Sequence, residues 1–152
     1  MGLELQHEFS FWVATKPPVD FGTGPLGRRT YLEAVEGAAT GQRFNATAIG
    51  GGGDWLVVGS DGYGRIDVRL QFQTDDGARV YVQYVGLLEL NQTVLEAMAS
   101  GRGTAYEDQY FRITPRIDTG DERYAWMNQS VFVARGHVAE GSKVEYEVFR
   151  VL

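Results

Sequence analysis

Residues 65–73 alternate without a break. Ile66, Val68, Leu70 and Phe72 are apolar, and Arg65, Asp67, Arg69, Gln71 and Gln73 are polar. Successive side chains of a strand point to opposite faces, so a period of two predicts a half-buried β-strand. The pattern recurs at the amino terminus. Leu3, Leu5, His7, Phe9, Phe11 and Val13 share one face, Glu4, Gln6, Glu8 and Ser10 take the other, and Pro17-Pro18 ends the run. Residues 31–39 and 43–49 read as strands paired around Gly41. Further strands are predicted over 55–58, 79–90 and 108–115, and a closing hairpin over 125–138 and 143–151. Ser60-Asp61-Gly62 and Asp75-Asp76-Gly77 mark turns, because Asp-Gly favours the positive φ that tight hairpins need. Residues 21–29 read as a loop.

One short helix is expected near 93–100. Thr93 and Glu96 have the spacing of a capping box, Ala97-Met98-Ala99 follow, and Gly101 stops the helix. Eight to ten short strands with one helix predict an all-β protein. A sheet this rich in hairpins must protect its edges, which favours a closed or nearly closed antiparallel barrel over a sandwich. With 152 residues and no linker, repeat or low-complexity segment, the whole chain reads as one domain.

Charge and composition narrow the function classes. The net charge is −6 and the basic residues are scattered, so the clustered basic face of a nucleic-acid binder is missing. No run approaches the roughly 18 apolar residues of a membrane span. Residues 1–10 carry Glu4, His7 and Glu8 and no apolar core, unlike a signal peptide, so a cytoplasmic protein is expected. The absence of cysteine removes disulfide and thiolate chemistry. The two histidines, His7 and His137, show no ligand spacing, so neither a metal nor another cofactor is expected. Gly22-Thr23-Gly24-Pro25-Leu26-Gly27 matches a dinucleotide fingerprint by letter only. No strand–turn–helix unit surrounds it.

The remaining candidates pair charged groups with aromatics. Four glycines, Gly50 to Gly53, lead into Asp54-Trp55. In one reading Asp54 is a carboxyl in an apolar pocket beside an indole, a setting that raises its pKa and suits it to proton transfer. In the other, Asp54 serves a turn and Trp55 fills core. Asp67 and Arg69 share a strand face, which is either a lumen or a solvated outer wall. Tyr110, Arg112 and Thr114 share a face, as do Trp126, Asn128 and Ser130. The arginines and Asn128 could hold an oxyanion, with Tyr84, Trp55 and Trp126 as pocket walls, or the aromatics could simply be core. His7 is either a satisfied core histidine or a lumen group.

Read in order, Gly50-Gly51-Gly52-Gly53-Asp54-Trp55, Ser60-Asp61-Gly62, Ile66-Asp67-Val68-Arg69, Thr74-Asp75-Asp76-Gly77-Ala78, Tyr110-Phe111-Arg112-Ile113-Thr114-Pro115 and the run from Thr119 to Asn128 closely resemble a domain-of-unknown-function family, number thirty-two thirty-seven, of small bacterial and fungal proteins. The resemblance runs from about Gly24 to Val151. It implies a lipocalin-like or allene-oxide-cyclase-like antiparallel barrel, assembled as a homo-oligomer, that holds a small hydrophobic ligand. Asp54, Trp55, Asp67, Arg69, Arg112, Trp126 and Asn128 fall on the family pattern. Gly53, where alanine is expected, and Met127, where leucine is usual, depart from it.

Three functions follow as expectations. The first is a cofactor-independent acid–base enzyme of the lyase, isomerase or cyclase type, acting on a small apolar or aromatic carbonyl or carboxylate compound. Its catalytic residues would be Asp54, Arg69, Arg112 and Asn128, with Trp55, Asp67, Tyr84, Tyr110, Trp126 and His7 binding the substrate. The second is a non-catalytic barrel that binds the same kind of molecule. The third is an interaction scaffold without an enclosed cavity.

Overall fold

The two-residue period is realised as ten β-strands in a computed structural model that describes residues 2–152, so the first residue of the amino-terminal stretch lies outside it. In chain order the strands are β1 (Leu5–Thr15), β2 (Val19–Gly24), β3 (Gly27–Gly41), β4 (Ala46–Ala48), β5 (Gly53–Val58), β6 (Tyr63–Thr74), β7 (Arg79–Glu89), β8 (Phe111–Asp118), β9 (Phe132–Ala139) and β10 (Lys143–Val151). Helix α1 (Gln92–Ser100) follows β7, and the single-turn α2 (Ala125–Asn128) precedes β9. Strand β1 pairs antiparallel with β10 along one edge and with β3 along the other. The path β1–β10–β9–β8–β7–β6–β4–β3 therefore returns to its start and closes an eight-strand antiparallel barrel. Strands β2 and β5 are additional. The first folds back on β3, and the second pairs with both β3 and β6.

Parity decides what the barrel encloses. Ile66, Val68, Leu70 and Phe72 of β6, Val80, Val82 and Tyr84 of β7, and Tyr146 and Val148 of β10 are all buried inward positions. One end is packed solid with aromatic rings. Phe9 meets Phe44 edge-to-face at 4.9 Å, and Phe44 meets Phe72 at 6.3 Å. Burying each such ring contributes roughly 2–3 kcal/mol. Tyr124 and Met127 cover this end.

The glycine run is the joint between β4 and β5, which occupy successive stretches of the slot between β3 and β6. Ala48 lies opposite Phe72 and Gly53 opposite Arg69, so the chain takes five steps (48 to 53) where β6 takes three (72 to 69). The excess is a bulge. Gly51 and Gly52 absorb it at φ values of +77° and +112°, which L side chains rarely adopt.

Four local expectations are corrected. Residues 21–29 form a hairpin, β2 with β3, instead of a loop. The stretch 125–138 is strand only from Phe132. Before it, Asp121 Oδ1 accepts the Arg123 N–H at 3.0 Å and starts a 3₁₀ turn (Glu122–Tyr124) that runs into α2. Helix α1 is capped by Asn91, whose Oδ1 accepts the Val94 N–H at 3.0 Å, in place of Thr93. Strand β8 starts at Phe111, not Asp108, because Asp108 Oδ2 accepts the Ala105 N–H at 2.8 Å and closes a turn.

A Cβ added at Gly52 would lie 2.5 Å from the Arg69 carbonyl oxygen, whereas one at Gly50 meets nothing within 4 Å. Gly52→Ala is therefore expected to cost about 1–3 kcal/mol in urea unfolding, and Gly50→Ala less than about 0.5 kcal/mol. Equal losses at both positions would remove the role of the bulge.

Candidate functional site

The end of the barrel opposite the aromatic plug holds a cavity of about 530 Å³. That volume falls in the range of small-molecule sites. Its walls are mainly aliphatic, with Val13, Leu32, Leu56, Ile66, Val68 and Leu70 among them. The carboxy-terminal half of α1 contributes Ala97 and Met98 at the opening.

Three polar side chains from different strands meet this cavity at depth. Asp54, the second residue of β5, follows the bulge and is half-buried. Its Oδ1 accepts the backbone N–H of Asp67 at 3.1 Å. Tyr84 of β7 and Tyr146 of β10 are each only 2% exposed, and their hydroxyls lie 3.3 Å apart. In such a pair one phenol donates, and the acceptor keeps an O–H proton free for a guest. The Tyr146 ring has room because its neighbour on β9 is Gly136, where a Cβ would lie 2.8 Å from the ring.

Electrostatics set the protonation of the cluster. Burial pushes the Asp54 carboxyl up to about 7, against the opposing Asp67 N–H bond, and the Asp67 charge on the other side of the sheet adds to the rise. Among the described residues no cation pairs with Asp54. Burial also raises the Tyr84 and Tyr146 hydroxyls, and an ionised Asp54 raises both further, so both stay neutral hydrogen-bond donors. Among the described residues, no group of three or more His, Asp or Glu side chains is placed to hold a metal ion.

Of the residues expected to form the site, only Asp54 and Tyr84 line this cavity. Asp67 and Arg69 occupy the outward parity of β6, with side chains 43% and 47% exposed and 3.9 Å apart. Trp55 points outward against Tyr31 and lies beneath Arg69. Tyr110 and Arg112 are exposed on the outer wall, the guanidinium 5.0 Å from the ring centroid. Asn128 sits in α2 and clamps Thr119, accepting its N–H and donating to its carbonyl, both at 2.8 Å. Trp126 belongs to the plugged end, stacked under Arg43 at 3.6 Å. His7 is exposed, with Nε2 3.2 Å from Ser10 Oγ. A bulge between His7 and Phe9 turns His7 out and Glu8 in, where the buried carboxylate meets Arg43 at 2.7 Å and Arg150 at 3.4 Å. Tyr146 was not among the expected residues. Its signal was a phenol in the apolar parity of Val144, Tyr146 and Val148.

Comparison with known proteins places this geometry among relatives. A family model described as a protein of unknown function, DUF3237, matches residues 3–151. A UPF0311 protein of Clostridium acetobutylicum is 30% identical over 133 residues, covering 86% of this chain and 84% of that protein. A conserved protein of unknown function from Rhodopseudomonas palustris has a crystal structure that superposes with a TM-score of 0.88 at 25% identity, covering 100% of this chain and 99% of that one. A beta-barrel like protein from Acinetobacter baumannii gives 0.84 at 28% identity, covering 100% and 98%. An enzyme from Penicillium herquei gives 0.68 at 20% identity, covering 99% and 94%, and shares the fold.

The raised carboxyl makes a stability prediction. The folded protein keeps the Asp54 proton up to about pH 7. The unfolded chain releases it near pH 4, so between those values folding takes up a proton and stability falls as pH rises. Asp54→Asn removes that dependence and can still accept the Asp67 N–H. Its melting temperature is expected to match wild type near pH 4 and to exceed it above pH 7. A wild type that stays the more stable protein at pH 8 would show that the ionised carboxylate is accommodated at no cost.

Proposed function

The chain belongs to the DUF3237 family, and from that premise we propose that this member is a cofactor-independent acid–base enzyme acting on a small, largely apolar or aromatic carbonyl compound. The observation that carries the reading is a carboxyl that has no cationic partner among the described residues, in an apolar cavity that also holds two neutral phenols. Asp54 as carboxylate takes a proton from the carbon next to the substrate carbonyl. The negative charge moves to the carbonyl oxygen, and the free phenolic O–H of the Tyr84–Tyr146 pair stabilises it. Returning the proton elsewhere is an isomerisation. Addition of the enolate carbon to a second carbonyl in the same molecule closes a ring: the new C–C bond forms as that C=O π bond breaks, and Asp54 returns its proton to the resulting alkoxide. Neither outcome changes the redox state of the substrate. The phenols take the oxyanion role that Arg69, Arg112 and Asn128 would have filled from a lumen they do not line.

A carrier of the same ligands is the alternative, and the aliphatic walls suit it. The uncompensated carboxyl favours turnover, because leaving it buried lowers stability and adds nothing to an apolar guest. The scaffold reading requires a filled barrel, and a cavity of about 530 Å³ counts against it. An enzyme from Penicillium herquei has this fold, which supports the capacity of such a barrel for catalysis.

Proton exchange tests the reading without knowledge of the natural substrate. In deuterated buffer, wild type is expected to speed deuteration of the methyl group of 2-acetylnaphthalene by about a hundred to ten thousandfold, read by NMR. The rate is expected to climb with pH and level off above about 7, as Asp54 loses its proton. Asp54→Asn should fall to the buffer rate. Turnover by Asp54→Asn equal to wild type, or no acceleration by wild type, would overturn the assignment.

A further inference from the structure

The charged side chains lining the cavity are sorted by depth. The anionic one, Asp54, is on the wall behind the bulge, and the others, Lys16, Arg102 and Lys143, are cations at the opening. They come from three separate segments: the turn after β1, the loop after α1 and the start of β10. In a chain with a net charge of −6, three cations around one opening are a local reversal of sign. Lys16 is neutralised by an ion pair with Glu33. Arg102 and Lys143 have no carboxylate partner among the described residues. The Arg102 Nε donates to Ser100 Oγ at 3.2 Å, and the Lys143 ammonium lies 4.3 Å from the centroid of the Trp12 ring. Glu140, in the turn before Lys143, is exposed and does not line the cavity.

From this arrangement we propose that the mouth is an anion-binding subsite, and that the substrate is an amphiphilic monoanion whose carboxylate or phenolate is held by Arg102 and Lys143 while its apolar carbonyl-bearing body enters the barrel. The inference rests on the acid–base reading for the reaction and adds the class and orientation of the substrate. The reverse orientation would bring the ligand's charge against the Asp54 carboxylate in an apolar setting, where like charges repel strongly. It would also leave two cations unmatched at the rim. Held by its anion at the mouth, the ligand points its far end at Asp54, Tyr84 and Tyr146. Arg102 offers a planar fork to a carboxylate, and Lys143 adds a point charge.

The test compares 6-acetyl-2-naphthoate with its methyl ester in the deuteration assay, with calorimetry for binding. The acid is expected to bind and to show a KM about tenfold below that of the ester, the effect of two partly exposed charge-assisted contacts. Added salt should narrow the gap. The double variant Lys143→Met with Arg102→Gln should abolish it, and a cooperative thermal unfolding transition like that of wild type shows that the variant folds. Arg116→Gln, an exposed cation on the outer wall, should preserve it. Equal affinity for acid and ester, or a gap that survives the double variant, would overturn the subsite. Asp54-dependent exchange of the ester without preference for the acid would do so while leaving the acid–base reading intact. Tighter binding of the acid without any exchange would keep the subsite and remove the reaction. Binding of neither compound would remove both.

Discussion

The double pairing of β1 is the constraint on which the rest of the molecule depends. Hydrogen-bonded to β10 on one edge and to β3 on the other, it turns a ten-strand meander into a closed wall with an inside. Closure satisfies the backbone groups that an open edge would expose. It also converts the parity of each strand into a choice between lumen and solvent. Phenylalanines fill one half of that lumen. In the other half most inward positions are aliphatic, and Gly136 leaves space where a side chain would otherwise meet the Tyr146 ring.

The bulge at Gly50 to Gly53 places the chemistry in that open half. A regular strand running on from β4 would keep its alternation and its register with β6. The two extra residues leave the parity unchanged, so Asp54 and Leu56 keep the inward face of Ala46 and Ala48 while Trp55 faces outward, but they shift the register by two and set Asp54 opposite Val68 instead of Ile66. The carboxyl then sits among apolar side chains and, among the described residues, pairs with no cation. Its pKa rises for that reason, and the same surroundings keep the two phenols protonated. A proton acceptor with an apparent pKa near neutrality, close to fixed hydrogen-bond donors, is the combination that proton transfer at carbon requires. With Arg102 and Lys143 at the opening, neither paired with a carboxylate among the described residues, the cavity has an electrostatic axis as well as a shape.

Much of the architecture was legible in one dimension. The clean alternation in β6, the hairpin turn at Asp75-Asp76-Gly77 and the stop of α1 at Gly101 depend on neighbours within a few residues, and all were readable. The errors also have local causes. Asp121 and Asp108 bond to nearby backbone N–H groups and coil segments whose composition looked strand-like. A single bulge exchanged the roles of His7 and Glu8, because one added residue reverses every face beyond it.

The sequence by itself determined that the chain is built of short antiparallel strands and that Asp54 follows a glycine joint, because both are written in short-range pattern, whereas closure into a barrel rests on the long-range pairing of β1 with β10 and β3. Only the tertiary structure decided which parity faces the lumen around the candidate site. Arg69, Arg112 and Trp55 stand outside because closure assigns their parity to solvent. Tyr84 and Tyr146, separated by 62 positions, become hydrogen-bond partners because β7 and β10 face each other across the barrel. Charge in the sequence is a sum over the whole chain. The cations at the mouth are a local reversal of it, produced where three distant segments converge on one rim.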